Sequence, residues 1–182
     1  MQKRVFLLTG APGVGKTTVL TKAVEALKAD GISVGGMISR EARERGIRVG
    51  FEITDLASGR HGWLAHVSQK DGPQVGKYRV NIGDLEAIGA EAIMEAAEKS
   101  AVIAIDEIGP MELFSQKFKQ AVKQALEGRK TVLAVVHAKA NDPLIQDAKR
   151  REDTEVFGVT LDNRGSLAKS ISKKIFDRLS GL

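Results

Sequence analysis

The sequence predicts an α/β fold, in which helices cover both faces of a mostly parallel sheet. Short apolar runs of the kind found in strands buried on both faces alternate along the chain with longer segments of helical periodicity. The chain has 182 residues, of which 42% are apolar and 28% are charged, so it can bury a substantial core. From this length and alternation we expect one domain over residues 1–182.

Five short segments have the composition of core strands, because each is rich in apolar side chains and is bounded by turn or charged residues. They cover residues 5–9, 33–39, 101–106, 131–136 and 155–159. The other periodic segments predict helices over residues 16–30, 84–99, 112–126 and 163–179. In the last of these, Leu167, Ile171 and Ile175 recur every four residues, which predicts one buried face.

The interval from residue 40 to residue 81 interrupts this alternation. Apolar residues at positions 47, 49, 51 and 53 alternate with charged or small ones, a pattern that predicts a half-buried strand. Residues 57–59 have turn composition, and residues 60–67 would form the returning strand. We therefore expect a β-hairpin and loop over about 40–81, inserted between the second and third core strands.

The charge pattern gives little support for nucleic-acid binding. The 28 basic and 23 acidic residues leave a net charge of +5, but both signs are interspersed and no block of five like charges occurs. A solvated, slightly basic surface explains this excess. The sequence leaves nucleic acid open as a partner but does not support it.

The sequence also bears on compartment and membrane. The absence of cysteine excludes a disulfide framework, a cysteine nucleophile and thiolate metal sites, and it fits a reducing compartment. No apolar run approaches 18 residues, so we expect no membrane span. Residues 5–8 are apolar but meet a glycine-rich segment, which favours a first strand over a signal peptide. We expect a cytoplasmic protein.

Residues 10–17 match the phosphate-binding pattern G-x-x-x-x-G-K-[ST] at all four fixed positions. The motif follows a predicted buried strand and opens a predicted helix, which is the context that it requires. A glycine-rich turn without a ligand is the alternative, and this context makes it the weaker one. The candidate nucleotide contacts are Gly10, Ala11, Pro12, Gly13, Val14, Gly15, Lys16, Thr17 and Thr18.

Each residue type in this segment can be explained by the chemistry of phosphate binding. Glycine adopts backbone angles that other residues avoid, so successive N–H groups can point at phosphate oxygens, and the helix N-terminus adds partial positive charge. The Lys16 ammonium would bridge the β- and γ-phosphates, and the Thr17 hydroxyl would bind Mg²⁺. Thr18 would contact the α-phosphate, or serve only as a first-turn residue of the helix.

Two carboxylates follow one another at the end of the third predicted strand. Ligands of open α/β sheets bind at the carboxyl ends of the strands, so Asp106 is expected to be a water-mediated or second-shell ligand of Mg²⁺. Glu107 would orient or deprotonate a water aimed at the γ-phosphate, unless it only begins a solvated loop. Gly109 would bring a backbone N–H to the γ-phosphate, or it is a turn glycine before Pro110.

Further side chains are candidates that also have simpler explanations. His137 ends the fourth strand and would face the γ-phosphate if that strand lies between the first and the third; otherwise it is a polar strand-end residue. Arg43 and Arg48 are the preferred candidates for an arginine finger, although surface arginines are common on hairpins. Asn163 and Arg164 would flank the nucleotide base, or Asn163 would cap the last helix.

The sequence resembles the thermophile-type nucleoside-triphosphatases, called cancer-related nucleoside-triphosphatases in vertebrates. The resemblance runs nearly end to end, and its most distinctive blocks lie outside the phosphate-binding loop. The matching positions are residues 9–18, 36–39, 41, 43, 48–52, 75–78, 105–109, 111–115, 160, 163 and 164.

This resemblance implies an enzyme that hydrolyses nucleoside triphosphates to diphosphates and phosphate, with Mg²⁺ as cofactor and broad base tolerance. It also implies a three-layer P-loop NTPase fold, RecA-like or kinase-like, with the core strands in the order 5-1-4-3-2. In this resemblance Glu107 matches the position proposed for the general base. The oligomeric state is not implied.

Two other functions stay open beside the preferred hydrolase. A nucleotide or small-metabolite kinase would need a specific acceptor pocket, for which the insertion at 40–81 is the candidate. The acid directly after Asp106 favours water over such an acceptor. A nucleotide-switched regulator that binds RNA or protein is the second, but the guanine-reading Asn-Lys-x-Asp segment is absent.

Overall fold

The computed structural model describes residues 2–181 and contains one nine-stranded sheet with helices on both sides. The strands are β1 (Val5–Thr9), β2 (Val34–Glu44), β3 (Ile47–Asp55), β4 (His61–His66), β5 (Gln74–Val75), β6 (Tyr78–Val80), β7 (Val102–Ile108), β8 (Thr131–Val136) and β9 (Thr154–Gly158). The helices are α1 (Lys16–Ala29), α2 (Ile82–Asp84), α3 (Glu91–Lys99), α4 (Gln116–Glu127), α5 (Pro143–Arg150) and α6 (Arg164–Leu179). A π-helical turn (Leu85–Ala90) joins α2 to α3, and a 3-10 turn (Glu112–Phe114) precedes α4.

The predicted order of the core strands is confirmed. Across the sheet the strands follow the order β5-β6-β4-β3-β2-β7-β8-β1-β9, and those from β2 to β9 in this order run parallel. The five core strands are, in chain order, β1, β2, β7, β8 and β9. Numbered 1 to 5 in this way, they lie in the order 2-3-4-1-5, which is 5-1-4-3-2 read from the other edge of the sheet. Parallel strands end at a common edge, so the loops that follow β1, β7 and β8 open side by side.

Side chains of the core strands alternate between two buried layers. Phe6 and Leu8 pack in the layer that contains α1 and α6, whereas Leu7, between them, packs in the layer that contains α3 and α4. All three are at most 2% exposed. Burial on both faces explains why these strands read as continuous apolar runs.

The inserted segment extends the sheet with antiparallel strands. β2 does not end at residue 39, as the sequence predicted, but continues to Glu44 and pairs with β3. The predicted hairpin of β3 and β4 is confirmed, and in its turn the Asp55 carboxylate accepts a hydrogen bond from the Ala57 N–H (2.9 Å). With β6 and β5 added beyond β4, the insertion lies beside the core sheet rather than on top of it.

Two predicted helices begin at other residues than expected. The helix expected from residue 84 starts at Ile82, and the Asn81 side chain caps it. The helix expected over residues 112–126 is interrupted, because Ser115 is the N-cap of α4 and the residues before it form the 3-10 turn. Phe114 therefore lies outside α4 and is 49% exposed.

The sequence prediction missed one helix, α5. It is eight residues long, and its start is set by Asp142, whose side chain accepts a hydrogen bond from the Leu144 N–H (2.9 Å), and by Pro143 at the first helical position. No helix within residues 2–181 is both long and apolar enough to cross a membrane.

Candidate active site

The segment between β1 and α1 has the geometry that its motif predicts. Gly15 occupies the N-cap position of α1 with a φ of 111°, a left-handed conformation that favours glycine. The first turn of α1 contains no acidic side chain, so its partial positive charge is not neutralised from within the helix. The Lys16 ammonium donates hydrogen bonds to the carbonyl oxygens of Gly10 (2.8 Å) and Ala11 (2.9 Å), which hold it over the loop.

β7 is irregular where its two carboxylates lie. Ile105 pairs with Ala134, and Ile108 pairs with Val136, so β7 uses one residue more than β8 over this stretch. Asp106 lies in this bulge and is only 2% exposed. Within residues 2–181, its Oδ2 is the one buried side-chain nitrogen or oxygen atom without a hydrogen-bond partner.

The surroundings of Asp106 raise its pKa to about 7. Burial is the main cause and the negative charge of Glu107 adds to it, while a hydrogen bond from Thr17 and the positive charge of Lys16 lower the pKa. Because Thr17 and Lys16 belong to the glycine-rich loop, the loop and the end of β7 form one site.

Glu107 is held between the loop and the turn that follows β7. A Cβ atom on Gly109 would lie 2.7 Å from Glu107 Oε1, so a larger residue at position 109 would push this carboxyl group aside. Burial raises the pKa of Glu107, whereas His137 and Lys16 lower it electrostatically. The carboxyl group is therefore close to both of these side chains.

Glu112 is a third carboxylate of the site, and the sequence analysis did not propose it. It is 2% exposed, and burial, together with the negative charge of Glu107, raises its pKa well above the ordinary value. The backbone N–H groups of Glu112 itself and of Gly109 lower this pKa. Gly109, whose N–H the sequence analysis assigned to the γ-phosphate, therefore lies close to Glu112.

The glycine-rich loop and the carboxylates line one cavity of about 1130 Å³. Of the predicted site residues, those that line it are residues 10–13 and 15–18, Asp106, Glu107 and His137. β8 lies between β1 and β7, which is the condition under which His137 was expected to face the site. The His137 N–H donates to the Ile108 carbonyl oxygen (3.1 Å), which fixes the end of β8 against β7.

The structure does not bring Arg43 or Arg48 to the loop. Both pair with Glu41 on the inserted strands, at 2.8 Å for Arg43 and 2.6 Å for Arg48, and neither lines the cavity. Arg48 also donates to the Tyr78 hydroxyl (2.9 Å). Arg40 lines the cavity instead, and no carboxylate of residues 2–181 forms an ion pair with it.

Asn163 and Arg164 lie on the side of the loop that faces α6. The Asn163 side chain accepts a hydrogen bond from the Thr160 N–H (2.9 Å) and donates one to the Gly158 carbonyl oxygen (2.8 Å). It occupies the N-cap position of α6 but makes no side-chain hydrogen bond to that helix. Arg164 donates from Nη1 to the Val14 carbonyl oxygen (3.3 Å), so its guanidinium group contacts the glycine-rich loop directly.

The inserted strands supply a wall of the cavity that the sequence analysis did not predict. Its residues include Ser39, Glu41, Phe51, Leu64 and Val75. The alternation that identified the hairpin shows which residues share a face of a strand. It does not show that this face meets the end of β7.

The residues beside the loop fit a magnesium ion. Mg²⁺ is usually bound by one or two carboxylates together with substrate phosphates, and not by a cage made of protein alone. Asp106 Oδ2 has no other partner, and the Thr17 hydroxyl contacts the same carboxylate. No group of three His, Asp or Glu side chains suited to a metal occurs within the part of the chain that the structure describes.

These features define a class of protein. A glycine-rich loop between a buried strand and a helix, opposite a carboxylate at the end of a neighbouring strand, is the site of a P-loop nucleotide-binding protein. The family model described as NTPase matches residues 5–172, and the chain belongs to this family. The resemblance to nucleoside-triphosphatases that the sequence analysis describes is confirmed.

Curated relatives match along most of their length. A protein of Thermofilum pendens named nucleoside-triphosphatase THEP1 is 46% identical, over 96% of this chain and 97% of the relative. A mouse protein named cancer-related nucleoside-triphosphatase homolog is 40% identical, over 94% of this chain and 95% of the relative.

Solved structures share the fold. The crystal structure of THEP1 from Aquifex aeolicus has a TM-score of 0.79 and 31% identity, covering 92% of this chain and 96% of that one. The solution structure of a human cancer-related nucleoside triphosphatase has a TM-score of 0.79 and 38% identity, covering 94% of this chain and 96% of that one. The α/β fold is therefore shared with both of these proteins.

Proposed function

We propose that this protein hydrolyses nucleoside 5′-triphosphates to diphosphates and phosphate, with Mg²⁺ as cofactor. The observation that carries the proposal is one cavity lined both by Lys16 of the glycine-rich loop and by the carboxylates of Asp106 and Glu107. The family and the names of the relatives support the same reaction.

Each residue of the site has a distinct task in this proposal. The loop N–H groups and the Lys16 ammonium would neutralise the phosphate oxygens, where charge develops during transfer. Thr17 and Asp106 would hold Mg²⁺, which supplies further positive charge to the phosphates when it is bound. The contact between Thr17 and Asp106 supports this assignment.

Glu107 would orient the attacking water and accept its proton. A carboxylate accepts a proton more readily when its pKa is raised, and burial raises that of Glu107. Lys16 and His137, which lower this pKa, keep the carboxylate charged so that it can act as a base. His137 would stabilise that charge rather than take part in proton transfer.

We further propose that the enzyme accepts different bases. The loop recognises phosphates through main-chain groups, which do not distinguish one nucleotide from another. Both polar atoms of the Asn163 amide are engaged by backbone groups of its own loop, which argues against a role in reading a base. Arg164 remains the candidate for contact with the base or sugar, because it lies on the outside of the glycine-rich loop.

The test is phosphate release from ATP, GTP, CTP and UTP, each measured with Mg²⁺ and with EDTA. We expect release from all of them with Mg²⁺, with similar kcat/KM values, and loss of release in EDTA. Release confined to one nucleotide would contradict broad base tolerance. No release from any of them with Mg²⁺ would contradict the proposed reaction.

A further inference from the structure

The cavity of about 1130 Å³ is lined by more than the glycine-rich loop and the carboxylates of β7. The glycine-rich loop forms one end. The other end is formed by Phe51, Leu64 and Val75 of the inserted strands with Met111 and Glu112 of the turn after β7, and we call it the distal compartment.

Strand geometry separates the two ends. Met37 packs in the α3 and α4 layer and Ile38 in the α1 and α6 layer, so alternation along β2 places Ser39 and Glu41 on the first side and Arg40 on the second. Phe51, Leu64 and Val75 also belong to the first side. The distal compartment therefore lies on the α3 and α4 side of the sheet edge, whereas Arg40 faces α1.

The chemistry of the distal compartment does not suit a polyphosphate. Glu112 is buried in its wall, and Glu107 lies within electrostatic reach of Glu112, so phosphate oxygens would meet carboxyl groups there. Leu64 is 2% exposed, and the Phe51 ring is fixed edge-on against Tyr78 at 5.2 Å. These walls suit a molecule with an apolar ring.

We propose that the distal compartment binds a small ring-bearing alcohol, whose hydroxyl group takes the place of water as the acceptor of the γ-phosphoryl group. Glu107 lines the same cavity and is within electrostatic reach of both Glu112 and Lys16. An alcohol whose ring packs against Phe51, Leu64 and Val75 would present its hydroxyl to Glu107, the carboxylate assigned to water. This inference rests on the proposed function, because the triphosphate must occupy the loop.

The transfer is balanced without any further reactant. The hydroxyl oxygen forms a bond to the γ-phosphorus, and the bond between that phosphorus and the bridging oxygen of the β-phosphate breaks. The hydroxyl proton passes to the Glu107 carboxylate. The products are a phosphate monoester and a nucleoside diphosphate.

Binding is tested with benzyl alcohol, which combines one ring with one hydroxyl group, added in millimolar amounts to the full chain. Methyl NMR signals report where it binds. We expect shifts at Leu64, Val75 and Met111 that persist when ADP and Mg²⁺ are present, and weaker shifts with benzyl methyl ether, which has no donor. Absence of shifts at these methyl groups overturns the inference, as do shifts that ADP abolishes.

Transfer is tested in the same samples with ATP and Mg²⁺, by ³¹P NMR detection of benzyl phosphate beside inorganic phosphate. Val75→Trp fills the compartment from the edge strand β5, and Val156→Trp is the matched control on the opposite edge strand, β9. We expect the ratio of benzyl phosphate to inorganic phosphate to fall about tenfold in Val75→Trp and to stay unchanged in Val156→Trp.

The outcomes separate this inference from the proposed function. Inorganic phosphate without benzyl phosphate overturns the acceptor site and leaves the hydrolase in place. An equal ratio in the two tryptophan variants shows that any ester arises elsewhere and also overturns it. Release of neither product contradicts the proposed function itself.

Discussion

At the scale of single residues, Glu107 is the side chain to which we assign turnover rather than nucleotide binding. Its carboxyl group lies against Gly109, where a Cβ atom would displace it. Phosphate binding, by contrast, is assigned to the loop and to Lys16. Changes at Glu107 should therefore alter the rate of turnover and not the affinity for nucleotide.

We expect Glu107→Gln to lower kcat about a hundredfold or more, because glutamine keeps the shape but cannot accept the proton of water. Phosphate release measures the rate, and titration with a fluorescent nucleotide measures affinity, which should stay within about threefold. Glu44→Gln, at the exposed end of β2, is the control. Equal turnover of the two variants would show that another group positions the water.

Glu112 makes the stability of the fold depend on pH. Its pKa is raised in the folded protein, so the folded state keeps a proton that the unfolded chain has already released. The stabilisation is complete below the ordinary pKa of glutamate, and it is lost as the pH rises through the raised value.

Glu112→Gln should remove this loss, since glutamine resembles the protonated acid. The Tm of the variant minus the Tm of the wild type should increase as the pH rises from about 4 to about 8. Thermal unfolding followed by circular dichroism at several pH values measures it, with Glu44→Gln as the exposed control. A difference that is constant with pH would mean that Glu112 does not hold a proton in the fold.

At the scale of elements, the turn after β7 depends on the start of α4. Ser115 is 1% exposed, and its hydroxyl oxygen accepts from the Phe118 N–H (3.0 Å) and donates to Glu86 Oε1 (2.8 Å). The first bond caps α4, and the second ties this helix to the π-helical turn. Both bonds fix the segment that carries Glu112.

Ser115→Ala should lower the free energy of unfolding by about 1–2 kcal/mol, since it removes a helix cap and leaves Glu86 without this donor. Urea unfolding measures the loss. Ser166→Ala is the control, because that exposed hydroxyl makes one longer hydrogen bond, to the Asn163 carbonyl oxygen (3.3 Å). If the two variants lose equal stability, the cap does not stabilise this turn.

At the scale of the whole molecule, the parallel core and half of the site could be predicted from the sequence. Buried strands give a local signal, and the loop motif has fixed spacing, so Lys16, Thr17 and Asp106 could be assigned together. Both signals come from residues that are close to one another in the sequence. The order of the core strands followed from the resemblance, which supplied the topology that periodicity alone lacks.

What could not be predicted depends on contacts between distant segments. Arg43 and Arg48 pair with Glu41 because of the register between β2 and β3, and no local pattern reports that register. In the sequence, Glu112 cannot be told from an exposed acid, and only the folded structure shows that it is buried. α5 was missed because its eight residues follow a stretch with the composition of a turn.

β2 belongs to both halves of the sheet, and this restricts how the family can vary in length. Its first residues pair with β7 beside Asp106, and its later residues pair with β3 beside Phe51. One residue added to or deleted from β2 after Ile38, the last residue paired with β7, would turn the side chains that follow to the opposite face. Insertions and deletions in homologous chains should therefore collect in the loops near residues 45–46, 56–59 and 67–73, and spare residues 38–41.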